Sequence, residues 1–249
     1  MTPPASGLKV GLFATCVNDL MFPETPRMVA QMLGRLGAEV VSSPKQTCCG
    51  QMFTNTGYVK QGLQTVEAYI DAFSGCDYVV GPSASCVGSV RDQHSWLTKD
   101  HPNLHQEAVE LSAKTLDLTE FLIDVLNVDD VGASFPHSVT YHSSCHSLRI
   151  TKLGDRPLRL LRAVKGLTLI DLPDADRCCG FGGTFSMKNP DVSIAMATSK
   201  AKAIANTGAQ FVTAPDNACL LNIGGILHRQ QARIRPIHLA AILSSKESA

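Results

Sequence analysis

One cysteine pattern is written twice in this chain. Cys16, the run Cys48-Cys49-Gly50 and Cys86 make the first pass. Cys145, the run Cys178-Cys179-Gly180 and Cys219 make the second, at nearly the same spacing. Of the nine cysteines only Cys76 stands outside the scheme. A repeat on this scale implies two halves of the same fold. Thiolates in such number and order form the donor set of a soft metal or an iron–sulfur cluster.

The halves align beyond their cysteines. Lys9 to Thr15 and Ser138 to Ser144 each read as a short buried strand ending at a cysteine. A helix follows, with Met28, Val29, Met32, Leu33 and Leu36 at helical spacing in the first half, and Leu158, Leu161 and Val164 in the second. Gly37 and Gly166 stand as C-cap glycines. Second strands, Ala38 to Val41 and Leu167 to Leu172, run into the Cys-Cys-Gly turns. Further helices are predicted from Gly57 to Phe73, and from Pro190 with Asn189 as N-cap and Gly208 closing. Third strands, Asp77 to Val80 and Gln210 to Thr213, deliver Cys86 and Cys219 into loops. Alternating strands and helices predict an α/β fold: two similar Rossmann-like parallel-sheet halves related by a pseudo-twofold. The expected domains are 1–130 and 131–249, and an insertion near Asp92 to Gln106 is the main difference between them.

Topology supplies the reason for convergence. In open parallel sheets ligands gather beyond the carboxyl ends of the strands, so Cys16, Cys48, Cys49 and Cys86 are expected to meet there. Cys145, Cys178, Cys179 and Cys219 are expected to do the same. Four thiolates need compensating N–H donors, which glycine-rich turns and helix N-termini supply. The run Cys178-Cys-Gly-Phe-Gly-Gly-Thr-Phe-Ser186 suits that task more fully than its counterpart after Cys48. Adjacent cysteines diverge, so each pair suits different atoms of a multinuclear cluster better than one zinc ion. Zinc as a fold-stabilising ion remains an alternative reading. A second is thiol–disulfide chemistry at Cys48-Cys49 or Cys178-Cys179, with Lys45 and Arg177 as the nearby cations.

Composition narrows the setting. Lys plus Arg equals Asp plus Glu at 22 each, which argues against a nucleic-acid partner. No segment reaches the roughly 20 apolar residues of a membrane span. The first residues lack the features of a secretory signal, so a cytoplasmic, reducing location is expected. No Walker loop or dinucleotide fingerprint is found. His142 and His146 flank Cys145 and could tune or ligate a cluster, shuttle a proton, or only bond at the rim. Arg149 is either a solvated helix charge or a carboxylate partner. His94, His101 and His105 are expected at the surface, Cys76 in the core, and the methionines at helical spacing in the core.

The doubled arrangement, with Phe13-Ala-Thr-Cys16, Cys48-Cys-Gly-Gln51, Gly81-Pro-Ser-Ala-Ser-Cys86, Cys178-Cys-Gly-Phe-Gly-Gly-Thr-Phe-Ser186 and Cys219-Leu-Leu-Asn-Ile-Gly-Gly225, resembles the cysteine-rich CCG-domain family. That family includes the cysteine-rich components of heterodisulfide reductase, of glycolate oxidase (its iron–sulfur component) and of anaerobic glycerol-3-phosphate dehydrogenase. Within it the chain is similar to stand-alone two-repeat members that serve lactate utilization. The resemblance implies an oxidoreductase component, an iron–sulfur electron-transfer subunit that oxidises L-lactate, a small 2-hydroxy acid, to pyruvate with two partner proteins, one of them carrying iron–sulfur. It implies a cluster in each repeat, [4Fe-4S] in type, on the eight repeated cysteines. In heterodisulfide reductase the motif ends in Cys-x-x-Cys; here Ser89 and Asn222 hold the last position.

Overall fold

Short runs of β-branched and apolar residues build two separate parallel sheets. The computed structural model describes residues 3–247, which divide into two units between Val128 and Asp129. In the first, the strands are β1 (Lys9–Leu12), β2 (Glu39–Val41), β3 (Tyr78–Gly81) and β4 (Thr115–Asp117). The helices are α1 (Cys16–Met21), α2 (Glu24–Arg35), α3 (Gln51–Thr54), α4 (Val59–Phe73), α5 (Ala84–Thr98), α6 (Pro102–Ala113) and α7 (Leu118–Glu120), the last running into a π turn, Phe121–Val125. The second unit has β5 (Ser138–Tyr141), β6 (Thr168–Ile170), β7 (Phe211–Ala214) and β8 (Arg235–His238). Its helices are α8 (Cys145–Arg149), α9 (Arg156–Ala163), α10 (Phe185–Lys188), α11 (Pro190–Asn206), α12 (Asn217–Arg229) and α13 (Leu239–Ser244).

The sheet orders are β2-β1-β3-β4 and β6-β5-β7-β8, every pairing parallel. The central strands are buried and β-branched, as Val79, Val80, Val139 and Val212 illustrate. Helix α2 buries Val29, Met32 and Leu33 and ends where Ala38 N–H bonds the Leu33 carbonyl across Gly37. Helix α4 buries Val66, Tyr69, Ile70 and Phe73; Tyr69 and Phe73 meet the Phe13 ring edge-on. Each unit thus has an α/β core of its own.

Several local expectations are corrected. Asn189 stands at the N-cap of α11 without a side-chain cap bond, leaving Pro190 as the starting signal. The insertion is helical: it extends α5 and supplies α6, which packs on α4 and α5. Cys86 and Cys219 lie in the first turns of α5 and α12 rather than in loops. For α5 the cause is Ser83, whose hydroxyl accepts the Cys86 N–H at 3.4 Å and starts the helix early. Among the described residues no helix is long and apolar enough to cross a membrane.

Candidate metal centre

In the order β2-β1-β3-β4 the chain leaves β1 for β2 on one side and returns to β3 on the other. The helices after β1 and β3 therefore part above the sheet, opening a crevice at the carboxyl ends of these two strands. Cys16 opens α1 after β1, Cys48 and Cys49 follow β2, and Cys86 sits in the first turn of α5 after β3. Cys145, Cys178, Cys179 and Cys219 take the same places around β5, β6 and β7. All nine cysteines are free thiols.

The sulfurs form a chain of neighbours in each unit. Cys16 Sγ lies 3.8 Å from Cys48 Sγ, and the Cys48 thiol neighbours that of Cys49, which in turn neighbours that of Cys86. In the second unit the links run Cys145 to Cys178, Cys178 to Cys179 and Cys179 to Cys219. Backbone donors point at the middle of each chain: Gly50 N–H meets Cys48 Sγ and Gly180 N–H meets Cys178 Sγ, both at 3.4 Å. Both glycines adopt positive φ, +88° and +84°. A Cβ at Gly180 would stand 2.8 Å from the Ser193 carbonyl oxygen; one at Gly50 would strike the Thr65 hydroxyl. The third letter of Cys-Cys-Gly is thus needed both for its backbone angle and for the close approach of the following helix.

Thiols this close cannot all ionise without a cation. In the second unit the Cys145 thiol donates to Cys178 and holds it down to about 2, with help from Cys179 and the Gly180 N–H. Cys145 and Cys179 are pushed well up, first by their bonds to Cys178 and then by burial. In the first unit the bond from Cys16 pulls Cys48 down, but the Cys49 contact and burial carry it up to about 11. Cys16 and Cys49 are also raised. A metal ion or cluster would replace these protons and relieve the repulsion. The crowded sulfurs, their N–H donors and a buried imidazole beside them fit such a group. Among the described residues one trio of donor atoms, from His142, Cys179 and Cys219, lies within 4.8 Å of one another.

The residues standing where a fifth cysteine would stand lie against the backbone of the Cys-Cys pair. Asn222 Nδ2 donates to the Cys179 carbonyl at 2.8 Å, while Ser89 Oγ sits 3.5 Å from the Cys49 carbonyl and places its one proton on Gln93 Oε1 at 2.8 Å. His94, expected at the surface, is 1% exposed, and its Nε2 lies 3.0 Å from the same Cys49 carbonyl. A sequence signal for this exists: Cys86, Val90 and His94 recur every fourth residue and share one helix face. His101 and His105 stay near the surface; the Thr98 hydroxyl lies 3.1 Å from His105 Nδ1. His146 Nδ1 lies 3.5 Å from Cys145 Sγ. Arg149 lines a cleft of about 470 Å³ with Asp176, Arg177, Cys178 and Lys200. Lys200 is buried and donates from Nζ to the Asp174 carbonyl at 2.6 Å. Cys76 is buried in the first unit's apolar core, the same cluster that holds Cys49. Met32 fills the core as expected, whereas Met21, Met52 and Met187 are exposed.

The model of the cysteine-rich CCG domain matches residues 10–91 and 139–224. Lactate utilization protein A of Geobacillus kaustophilus is 44% identical over 239 residues, 96% of this chain and 100% of that protein. The protein of that name from Oceanobacillus iheyensis is 41% identical over 238 residues, 96% of this chain and 97% of its own. Among solved structures, a hypothetical protein from Helicobacter pylori superposes on the whole chain with a TM-score of 0.64 at 10% identity. This chain spans 51% of that structure's length, and the likeness concerns the fold alone.

Proposed function

We propose a function on the premise that this chain belongs to the cysteine-rich CCG family and, within it, to the lactate utilization protein A family: it is the iron–sulfur electron-transfer subunit of a complex that oxidises L-lactate to pyruvate. The observation that carries the reading is the pair of sulfur chains, each brought together at a strand switch point and each supplied with a glycine N–H. The relatives' name supports a role in lactate utilization. In this reading each unit is one repeat domain, and the eight repeated cysteines are the ligands of one [4Fe-4S] cluster per repeat. Conversion of a 2-hydroxy acid to a 2-oxo acid releases two electrons and two protons, and a bound cluster of this type accepts electrons one at a time.

The chain's own residues then have defined tasks. The glycine N–H groups at Cys48 and Cys178 offset thiolate charge. The cleft beside Cys178 is lined by Arg149 and by Arg177, the latter paired with Asp174 at 3.3 Å; Arg149 is the cation that a small carboxylate can approach. Partners have surfaces to meet: Leu20 and Met21 beside Cys16, Met52 beside the first Cys-Cys-Gly turn, Leu148 beside Cys145 and Met187 beside the second turn are all exposed. Two partner proteins, one itself an iron–sulfur protein, and a cytoplasmic location complete the proposal.

The test is anaerobic purification followed by visible absorbance and assays of iron, acid-labile sulfide and zinc. Broad brown absorbance with iron and sulfide in matching amounts is the expected result. A colourless protein with stoichiometric zinc, or metal-free protein with titratable disulfides, overturns it.

A further inference from the structure

We infer that His142 supplies a nitrogen ligand to the metal centre of the second unit, so that the two repeats carry chemically different donor sets. The inference rests on the metal-centre reading above. It begins with an unmet requirement. His142 is 0% exposed, and neither Nδ1 nor Nε2 has a hydrogen-bond partner. Buried imidazole nitrogens are ordinarily bonded, and leaving both unbonded costs stability unless something else binds one. A ring nitrogen lies within 4.8 Å of both Cys179 Sγ and Cys219 Sγ, the two most deeply buried thiols of the second set. A neutral imidazole carries a lone pair on one ring nitrogen, which is what a metal ligand needs.

The comparison between repeats sharpens the point. The backbone N–H of His142 donates to the Thr213 carbonyl at 2.8 Å, and the backbone N–H of Phe13 donates to the Val80 carbonyl at 2.9 Å. Each residue directly follows the first strand of its sheet and bonds the third, so Phe13 and His142 are structural equivalents. Phe13 is also fully buried, but it packs edge-on against Tyr69 and Phe73 and needs no polar partner. A second exchange accompanies the first. At the position before the third-strand helix, Ser83 of the first unit becomes the buried Asp216 of the second. Asp216, Lys200 and the thiols of Cys178, Cys179 and Cys219 are charged or titratable groups that face His142. An imidazole beside a buried carboxylate is a common setting for a metal-binding histidine. Iron bound through histidine as well as cysteine sits at a higher potential than iron bound through cysteine alone. The second unit's centre is therefore expected to be easier to reduce than the first.

The experiment is pulsed electron paramagnetic resonance on the anaerobically loaded full chain, in its paramagnetic oxidation state, with and without 15N-histidine labelling. A hyperfine coupling from metal-bound nitrogen that changes isotope with the label is expected in the unsubstituted protein. It should vanish in His142→Phe, which installs the residue of the other repeat, and survive in His146→Phe. Loss of that coupling with iron retained, and a lower reduction potential for one of the two centres, would complete the support. Protein that carries iron and sulfide but shows no bound histidine nitrogen overturns this inference alone. A coupling that persists in His142→Phe does the same. Protein that takes up neither iron nor sulfide overturns the metal-centre reading and this inference with it. The labelled unsubstituted protein answers the question even if His142→Phe does not fold.

Discussion

Gly180→Ala tests the local geometry that shapes the second site. Gly180 has φ +84°, and an added Cβ would stand 2.8 Å from the Ser193 carbonyl oxygen and 3.0 Å from Met196 Cβ. Ser193 is in turn tied to the turn, its hydroxyl donating to the Gly180 carbonyl at 2.9 Å. Two costs add. The left-handed backbone costs an L-residue about 1–2 kcal/mol. Overpacking against a helix that cannot yield freely costs about 1–3 kcal/mol more. Gly183→Ala is the internal control, because Gly183 also has positive φ, +63°, but its Cβ would meet nothing within 4 Å. That variant bears the first cost and not the second. The assay is urea unfolding of the metal-free proteins followed by far-ultraviolet circular dichroism, since the only Trp, Trp96, lies in the first unit. With a denaturant slope of about 2 kcal/mol per molar, Gly180→Ala should shift the midpoint by about 1–2.5 M and Gly183→Ala by about 0.5–1 M. Hydrogen exchange should rise at the start of α11 in the first variant only. Equal midpoint shifts in the two variants would refute the close-approach argument.

Three further outcomes are expected. Cys179→Ala should lower iron bound per chain after anaerobic reconstitution far more than Cys76→Ala, which removes a sulfur from the core cluster of the first unit; equal losses would count against the ligand assignment. Asn222→Ala removes the donor to the Cys179 carbonyl and should destabilise the second unit by about 1–2 kcal/mol in a thermal melt, with Asn222→Asp no better because a carboxylate cannot donate; an unchanged melting temperature would refute the positioning role. Lys200→Met keeps the buried stem but loses the donors to the Asp174 and Ala175 carbonyls. Hydrogen exchange over residues 171–177 should quicken, and an unaltered rate there would show that the lysine does not hold this segment.

Much of the architecture can be read without coordinates, because it is written in local period and punctuation. Strands ending at Cys16 and Cys145 are buried runs only a few residues long, and Gly37 and Pro190 mark helix ends by backbone constraints that hold in any fold. For His94 the sequence offers only its four-residue spacing from Val90 and Cys86, set among polar neighbours, while its burial comes from the packing of α5 against α4 and α6. Asp216 and Lys200 give no local sign either, since a charge is buried only by what the rest of the chain brings over it.

The amino-acid order by itself determined that two halves share a fold and that each delivers four thiols to the carboxyl edge of a parallel sheet, because the repeat and the strand periodicity are properties of the chain alone. The tertiary structure decided which atoms meet. It aligned the sulfurs in neighbouring pairs, turned Asn222 and Ser89 toward the Cys-Cys-Gly carbonyls, and buried His142 with both nitrogens unmatched where Phe13 finds only aromatic rings. The physical reason is that contact between residues far apart in sequence depends on the packing of whole helices and strands, and the free energy of a buried polar group depends on every partner that packing brings or withholds.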